Sequence, residues 1–568
     1  MRVKNATLVF DDVAKVGAGD ATINYTLKGK ISDVVRYVSK EPINLGDEIG
    51  MDPNSVKGNA DLKVKLVFPA QNNIDVEDFK ITILGTLTDA YFPNVIDTLD
   101  LSGGPLDFSV KENKVVLKGN AMLEKRPMNF EWRSFLYSKG KPYKEKLKAQ
   151  LTVDPNLRAQ VGIDLSDFLE GSVKADIDYV GYNNGKAVAK IKVDATPAVF
   201  FVEPFDYVKP SGEQGDASFT AHFKGDTIKE ITDLKAKGKE FTLAASTIKF
   251  SEHKGETWIH RGDFPSFTLQ KTRGGVSFVF DKSRAVDITM NAEFMDAQPF
   301  MDAEEIPDVY EEPPMRITTT AKEMLTAPGK VINDVKSFMD IDGEGRFNKI
   351  ELDARVGKSD VVVRFQEDKL GQRKFSMNTE DAGALLNAFD VYEGMRGGKM
   401  TISGEPIKGV RDRNIKGKAE IRNFKIVDAP AATKVLSVLS LTGIGDALSN
   451  KGLKFSKLET DFKWIYRRKG SLLKLKKGRT SGNSIGVVFD GTFDNEKREV
   501  DMDGTLIPMS GLNKVLRKIP LVGDILTGGS GGIFAATFSV KGSSEDPVIS
   551  ANPLSVITPG ILRRVLWE

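Results

Sequence analysis

The residues whose types and spacing could do chemistry are Asp340 to Glu351, DIDGEGRFNKIE. Acids fill the first, third and last positions, Glu344 stands where a calcium loop usually carries Asp or Asn, and Gly345 sits at the turn. Such a loop would wrap a calcium ion in carboxylate oxygens, but a calcium hand needs a helix after it. Here Ile350, Leu352, Ala354 and Val356 alternate with Glu351, Asp353 and Arg355, which is a strand pattern. The segment reads as a turn entering a strand, and no metal is expected. The sequence has no cysteine, which excludes thiolate metal sites, disulfides and cysteine nucleophiles. Its three histidines, His222, His253 and His260, are too few and too polar in context for a metal centre. There is no GxSxG elbow, no GxxxxGK phosphate loop and no HExxH. GIGDAL at Gly443 to Leu448 lacks the strand-turn-helix setting of a dinucleotide cradle. The chain reads as non-enzymatic, with no cofactor.

Surface chemistry is the alternative, and the last sixty residues carry most of it. Leu512, Val515, Leu516 and Ile519 recur at i, i+3, i+4, i+7, while Lys514, Arg517 and Lys518 fall elsewhere on the turn. This predicts a short basic amphipathic helix stopped by Pro520. Pro559 opens a second one, with Ile561, Leu562, Val565 and Leu566 apolar and Arg563, Arg564 and Trp567 of types that favour a membrane-water interface. Such helices contact a membrane or a partner, or simply pack on their own sheet. Pro430 begins another predicted helix, apolar over a wide arc through Leu441. Arg467, Arg468, Lys469, Lys474, Lys476, Lys477 and Arg479 cluster around a hairpin, either as a solvated face or as a site for anionic head groups.

The elements that must position these residues are strands. Ala60, Leu62, Val64, Leu66 and Phe68 alternate with charges, as do Val173, Ala175, Ile177 and Tyr179. Similar runs near 22–29, 79–88, 115–123, 147–153, 187–195, 218–224, 241–250, 267–271 and 276–280 are separated by turn residues. Each strand has one wet and one dry face, and helical periodicity is scarce over the first 300 residues. Leu62, Val64, Leu66, Val173, Ile177, Ile350, Leu352 and Val356 are expected to line the dry face, because a one-residue slip would put their charged neighbours there. In an open trough, an aspartate at Val64 or Leu352 would be hydrated and the protein would stay folded. The dry faces must meet another sheet, the same sheet curled over, or an apolar ligand.

At 568 residues the chain exceeds one compact core. Lys plus Arg number 81 against 79 Asp plus Glu, a net of +2, so no global field favours nucleic acid. No apolar run reaches the roughly 18 to 20 residues of a spanning helix, and no signal peptide is read at Met1. A boundary is expected in the acidic, proline-rich stretch 296–315, between a β region at 1–295 and a C-terminal region with amphipathic helices at 316–568.

Three ordered blocks carry a resemblance. They are NTEDAGALLNAFDVYEGMRGGKMTISG (Asn378 to Gly404), the run from Ile421 to Phe462, and Asn513 onward through IPLVGDILTGG to DPVISANPLSVITPGILRRVLWE. Together they resemble the AsmA-like superfamily, specifically the C-terminal portion of YhdP-type proteins of Gram-negative bacteria. The resemblance implies a mainly β fold, an elongated antiparallel sheet curled into a hydrophobic trough with a few short amphipathic helices near its C-terminus. About 30 strands at roughly 4.8 Å would extend on the order of 140 Å. It further implies a bridge that moves phospholipid between inner and outer membranes in the periplasm, with an envelope protein as a potential partner at the C-terminal end. Family members begin with an inner-membrane anchor helix, so the chain is expected to be the C-terminal part of such a protein. The alternatives are an adhesive protein of tandem β-sandwiches and a TamB-like scaffold for outer-membrane protein assembly.

Overall fold

Alternation of apolar and charged residues carries most of the chain into strands in a computed structural model. The structure describes residues 1–11, 19–40, 51–71, 78–96, 98–161, 163, 165–253, 256–301, 313–408, 413–427, 452–467, 470–482, 485–508, 536–544 and 546–552. The fold is mainly β, with open, curled sheet and few short helices. It divides into two compact units, 1–270 and 271–568. That division does not fall in the acidic stretch 296–315. The strands flanking that stretch, Val286–Asp296 and Met315–Ala327, instead pair in parallel within the second unit, with Arg316 bonded to Asp287 across the pair.

In the first unit, strands from Arg2–Phe10 to Glu256–Leu269 pair antiparallel, each with the strands before and after it in the sheet. Sandwiches require strands to cross between two facing sheets, and this consecutive order does not do that. The predicted runs at 60–68 and 173–179 lie within strands Lys57–Pro69 and Val173–Gly181. Register separates the faces cleanly. On the wet side Lys118, Glu131, Lys148, Asp178 and Lys190 stand directly opposite one another in succession, alternating in sign across five strands. Opposite charges in directly paired positions favour this register, and a slip of one residue would bury them.

Two helices of this unit escape the strand pattern. Ile31–Val38 carries Ile31, Val34, Val35 and Val38 at helical spacing, buries Ile31 and Val35, and packs against strands Asp20–Lys30 and Lys57–Pro69. Pro155–Gln160 begins with proline and is capped by Asp154, whose Oδ1 accepts from the Leu157 amide at 2.8 Å. Beyond it, Leu169–Glu170, Val199–Val202 and Tyr207–Lys209 form a small separate sheet. Lys209 is buried there and donates from Nζ to the Ala198 and Pro210 carbonyls, both at 2.9 Å. Phe200 and Tyr207 of this sheet pack on Phe241 of the main one. By strand direction, these helices and the small sheet all follow the same end of the main-sheet strands. At the other end the described links include the short turns 112–113, 182–185 and 225–226.

In the second unit, Phe424 stacks on Phe455 with centroids 5.2 Å apart. Helix Ala382–Ala388 is capped by Asp381, which accepts from the Ala384 amide at 2.9 Å, and it docks on strand Met395–Pro406. Gly383 permits the contact, since a β-carbon there would lie 2.5 Å from the Met395 carbonyl oxygen. Ala382 and Leu385 of this helix are fully buried, and Leu386 and Phe389 are half-buried. The stretch KEMLTAPGKVINDVKSF is a hairpin turning at Pro328 and Gly329, where Gly329 takes a positive φ of 72°. Asp340 to Glu351 is likewise a hairpin turn between strands Lys330–Ile341 and Phe347–Val356. Asp342 accepts from the Glu344 and Arg346 amides and from Arg346 Nε. The carboxylate at the third position of the calcium-loop pattern is spent closing a turn.

Candidate apolar groove

The dry face of the first unit can be followed strand by strand. Leu27 lies opposite Leu62, Tyr25 opposite Val64 and Ile23 opposite Leu66. Val173 lies opposite Val153, and Ile177 opposite Ala149 and Ile191. All five expected residues of this unit therefore share one face, but they differ in depth. Leu62 and Val64 are 2% and 6% exposed and belong to the packed core, with Val173 also buried, while Leu66 and Ile177 are half-buried. In the second unit Ile350, Leu352 and Val356 share the dry face of Phe347–Val356. Val356 is buried and the other two half-buried. Leu352 continues into Val363, Met377, Ile402 and Ala419 as one straight half-buried row.

Depth varies from row to row and along each row, and buried Val64, Val110 and Val115 lie one row nearer the short turns than Phe108, Leu117 and Leu147. Between Leu99–Lys111 and Val173–Gly181, the row of Ala121, Met128, Leu151 and Ala175 is fully buried. The next row holds buried Leu106, Phe130 and Ala149. One row nearer the short turns, Phe108, Leu117, Trp132, Leu147 and Tyr179 stand opposite one another across five strands. All five are large and all five are only half-buried. The buried rows join Leu157, from the connections at their end of the strands, in one cluster. Phe108, Leu117, Trp132 and Leu147 of the half-buried row pack against the edge of that cluster. Gly85 stands between Leu62 and Phe108, where a β-carbon would fall 2.0 Å from the Asp61 carbonyl oxygen. This row forms an apolar strip with rungs about 4.8 Å apart.

Polar groups edge the strip towards the short turns. Ser134 and Glu145 are paired one row beyond Trp132 and Leu147, and Gly181 follows Glu145. The Trp132 indole donates from Nε1 to Glu145 Oε2 at 3.1 Å. The Tyr179 hydroxyl is held above the usual phenol range by burial, and by the Glu145 and Asp226 carboxylates. The alternation rule had singled out long apolar runs and so passed over Trp132, Leu147 and Glu145. The signal was present, since Glu145, Leu147, Ala149 and Leu151 share strand parity.

Two recesses of about 1010 and 700 Å³ lie over the wet face of the same unit, where Asn129, Gln150, Asp176 and Lys192 form one cross-strand row. A twisted sheet is saddle-shaped and is hollow on each face along a different diagonal. Lined by both signs of charge, those recesses offer an apolar chain nothing.

The other expected contacts divide by position. Leu512, Lys514, Val515, Leu516, Arg517, Lys518 and Ile519 lie outside the described residues. So do Ile561, Leu562, Arg563, Arg564 and Trp567, and the predicted helix from Pro430. Of the basic cluster, Arg467 pairs with Asp494 at 2.7 Å and Arg479 with Glu459 at 2.7 Å. Lys457 bridges Glu459 to Glu420, whose carboxyl is pushed down to about 2 by Arg422 and Lys457. His222 Nε2 lies 2.9 Å from Thr232 Oγ1, and His260 sits against the Trp258 ring. Among the described residues, no helix is long and apolar enough to cross a membrane, and no three metal-binding side chains cluster. No family model, curated protein or solved structure gives a significant match to the chain.

Proposed function

We propose that this chain is a non-enzymatic carrier that holds the acyl chains of phospholipid on the dry face of its sheet and guides them between the inner and outer membranes, in the periplasm. The observation that carries the reading is the half-buried row Phe108, Leu117, Trp132, Leu147 and Tyr179. A structural core would bury such side chains fully, and a wet face would not hold them. An alkyl chain laid across the rungs gains about 0.8 kcal/mol per buried methylene and keeps that gain as it slides from one rung to the next. Transfer then needs neither a reaction nor a cofactor. The likeness of the three blocks at 378–404, 421–462 and 513–568 to YhdP-type proteins supports the same direction. In this reading the terminal segments carrying Leu512 to Ile519 and Ile561 to Trp567 seat one end of the path at a membrane or an envelope partner. Mild solvent extraction of the purified, folded protein followed by mass spectrometry tests the proposal. Phospholipid near stoichiometric amounts is expected, and a folded protein free of lipid contradicts it.

A further inference from the structure

Glu145 is an anomaly on its face. It stands in register with Ser134 and Gly181 on the side that carries Val64, Leu147 and Ile177, is half-buried, and pairs with no lysine or arginine among the described residues. Its sequence neighbour Lys146 is paired with Arg133 on the opposite face and sits 4.4 Å from the Tyr143 ring. The contact made by the Glu145 side chain is the neutral indole N–H of Trp132. A half-buried carboxylate whose near neighbours are aromatic is electrostatically incomplete, since its natural complement is a cation.

The surroundings fit that cation. Trp132 and Tyr179 are each one register step from Leu147, so two aromatic rings flank the row that Glu145 closes. At Gly181 the Tyr179 hydroxyl and the Glu145 side chain close over the backbone. A β-carbon there would come within 3.1 Å of the Tyr179 hydroxyl and 3.3 Å of Glu145 Oε1. Its φ is not positive, so the absence of a side chain serves space and not backbone conformation. Asp226 adds a second negative charge in range of Tyr179. Two aromatic side chains beside a carboxylate are the components that hold alkylammonium groups.

We infer that Glu145, Trp132 and Tyr179 form a head-group site for an ammonium-bearing amphiphile, whose chain lies along the adjoining apolar row. The inference rests on the carrier reading and adds to it a chemical preference. The head would sit at the edge near the short turns with its charge towards water, and the chain would run over Leu147 and Leu117.

The test compares two probes with the same dodecyl chain, one ending in trimethylammonium and one in an uncharged sugar, each below its micelle concentration. Binding to the intact chain is read by tryptophan fluorescence. The wild type is expected to prefer the ammonium probe by roughly tenfold. Glu145→Gln keeps an oxygen to accept from the Trp132 indole and so keeps the ring in place, but it removes the charge. It should bring the two affinities together. Leu147→Asp should weaken both probes. An unchanged preference in Glu145→Gln overturns the head-group site while leaving the apolar row standing. Failure of the wild type to bind either probe overturns the carrier reading and the head-group site with it.

Discussion

An aspartate at Val64 would enter a position that is 6% exposed, packed in a cluster with Leu27, Leu62 and Leu87. An uncompensated buried charge costs on the order of 3–5 kcal/mol. The open-trough expectation that such a charge would be hydrated therefore does not hold at Val64. Leu147 shares the face but is only half-buried, so Leu147→Asp gives up roughly 1–2 kcal/mol of apolar burial and lets the carboxylate reach water. Val64→Asp should lower the urea midpoint sharply or prevent folding. Leu147→Asp should fold, and should lose binding of an alkyl probe. Equal stability of the two variants would show that the difference in depth has no energetic meaning. Alternation could assign both residues to one face, since that needs only parity. It could not rank them, because burial depends on what packs over each position, which parity does not show.

Helix Pro155–Gln160 adds buried Leu157 to the same cluster, and it hangs on Asp154. The Arg126 guanidinium, with Nε 2.6 Å from Asp154 Oδ2, holds this carboxyl below the usual carboxylate range, and the Leu157 amide adds to the effect. A carboxyl depressed in the folded state stabilises above its unfolded value of about 3.9 and loses that contribution as pH falls through its folded value. Hydrogen exchange at the Leu157 amide should accelerate as the solution is acidified below that range. Asp154→Asn should flatten the dependence, and an unaltered acid response in that variant would remove Asp154 from the account. The sequence announced this helix only through Asp154 followed by Pro155. Helix Ile31–Val38 was more legible, with its four apolar residues at helical spacing, yet it lies between strong strand signals that masked it. Strands came through best. The expected 115–123 and 187–195 correspond to Lys114–Leu123 and Lys186–Asp194, because each has a wet face charged enough to mark its period.

Across the molecule, strands pair chiefly with their sequence neighbours, so each unit is built by adding rungs, and a dry row started by one strand is inherited by the next. Among the described residues the consecutive strands Val286–Asp296 and Met315–Ala327 differ in pairing parallel, and they enclose the acidic stretch. Its proline and acid content marked a break in the alternation, but composition could not tell a crossover within a unit from a boundary between units. Inheritance of rows lets both units carry half-buried apolar strips, Phe108 to Tyr179 in the first and Leu352 to Ala419 in the second. The central claim is that these strips are where acyl chains lie. Its most direct test is photocrosslinking of the intact protein with a phospholipid bearing a diazirine on its acyl chain, followed by peptide mapping. The account predicts adducts at Leu117, Trp132, Leu147, Val363 and Met377, and none at exposed Leu84 or Met122 on the wet face. Adducts spread over the wet face, or absent from both strips while the protein is folded, would contradict it.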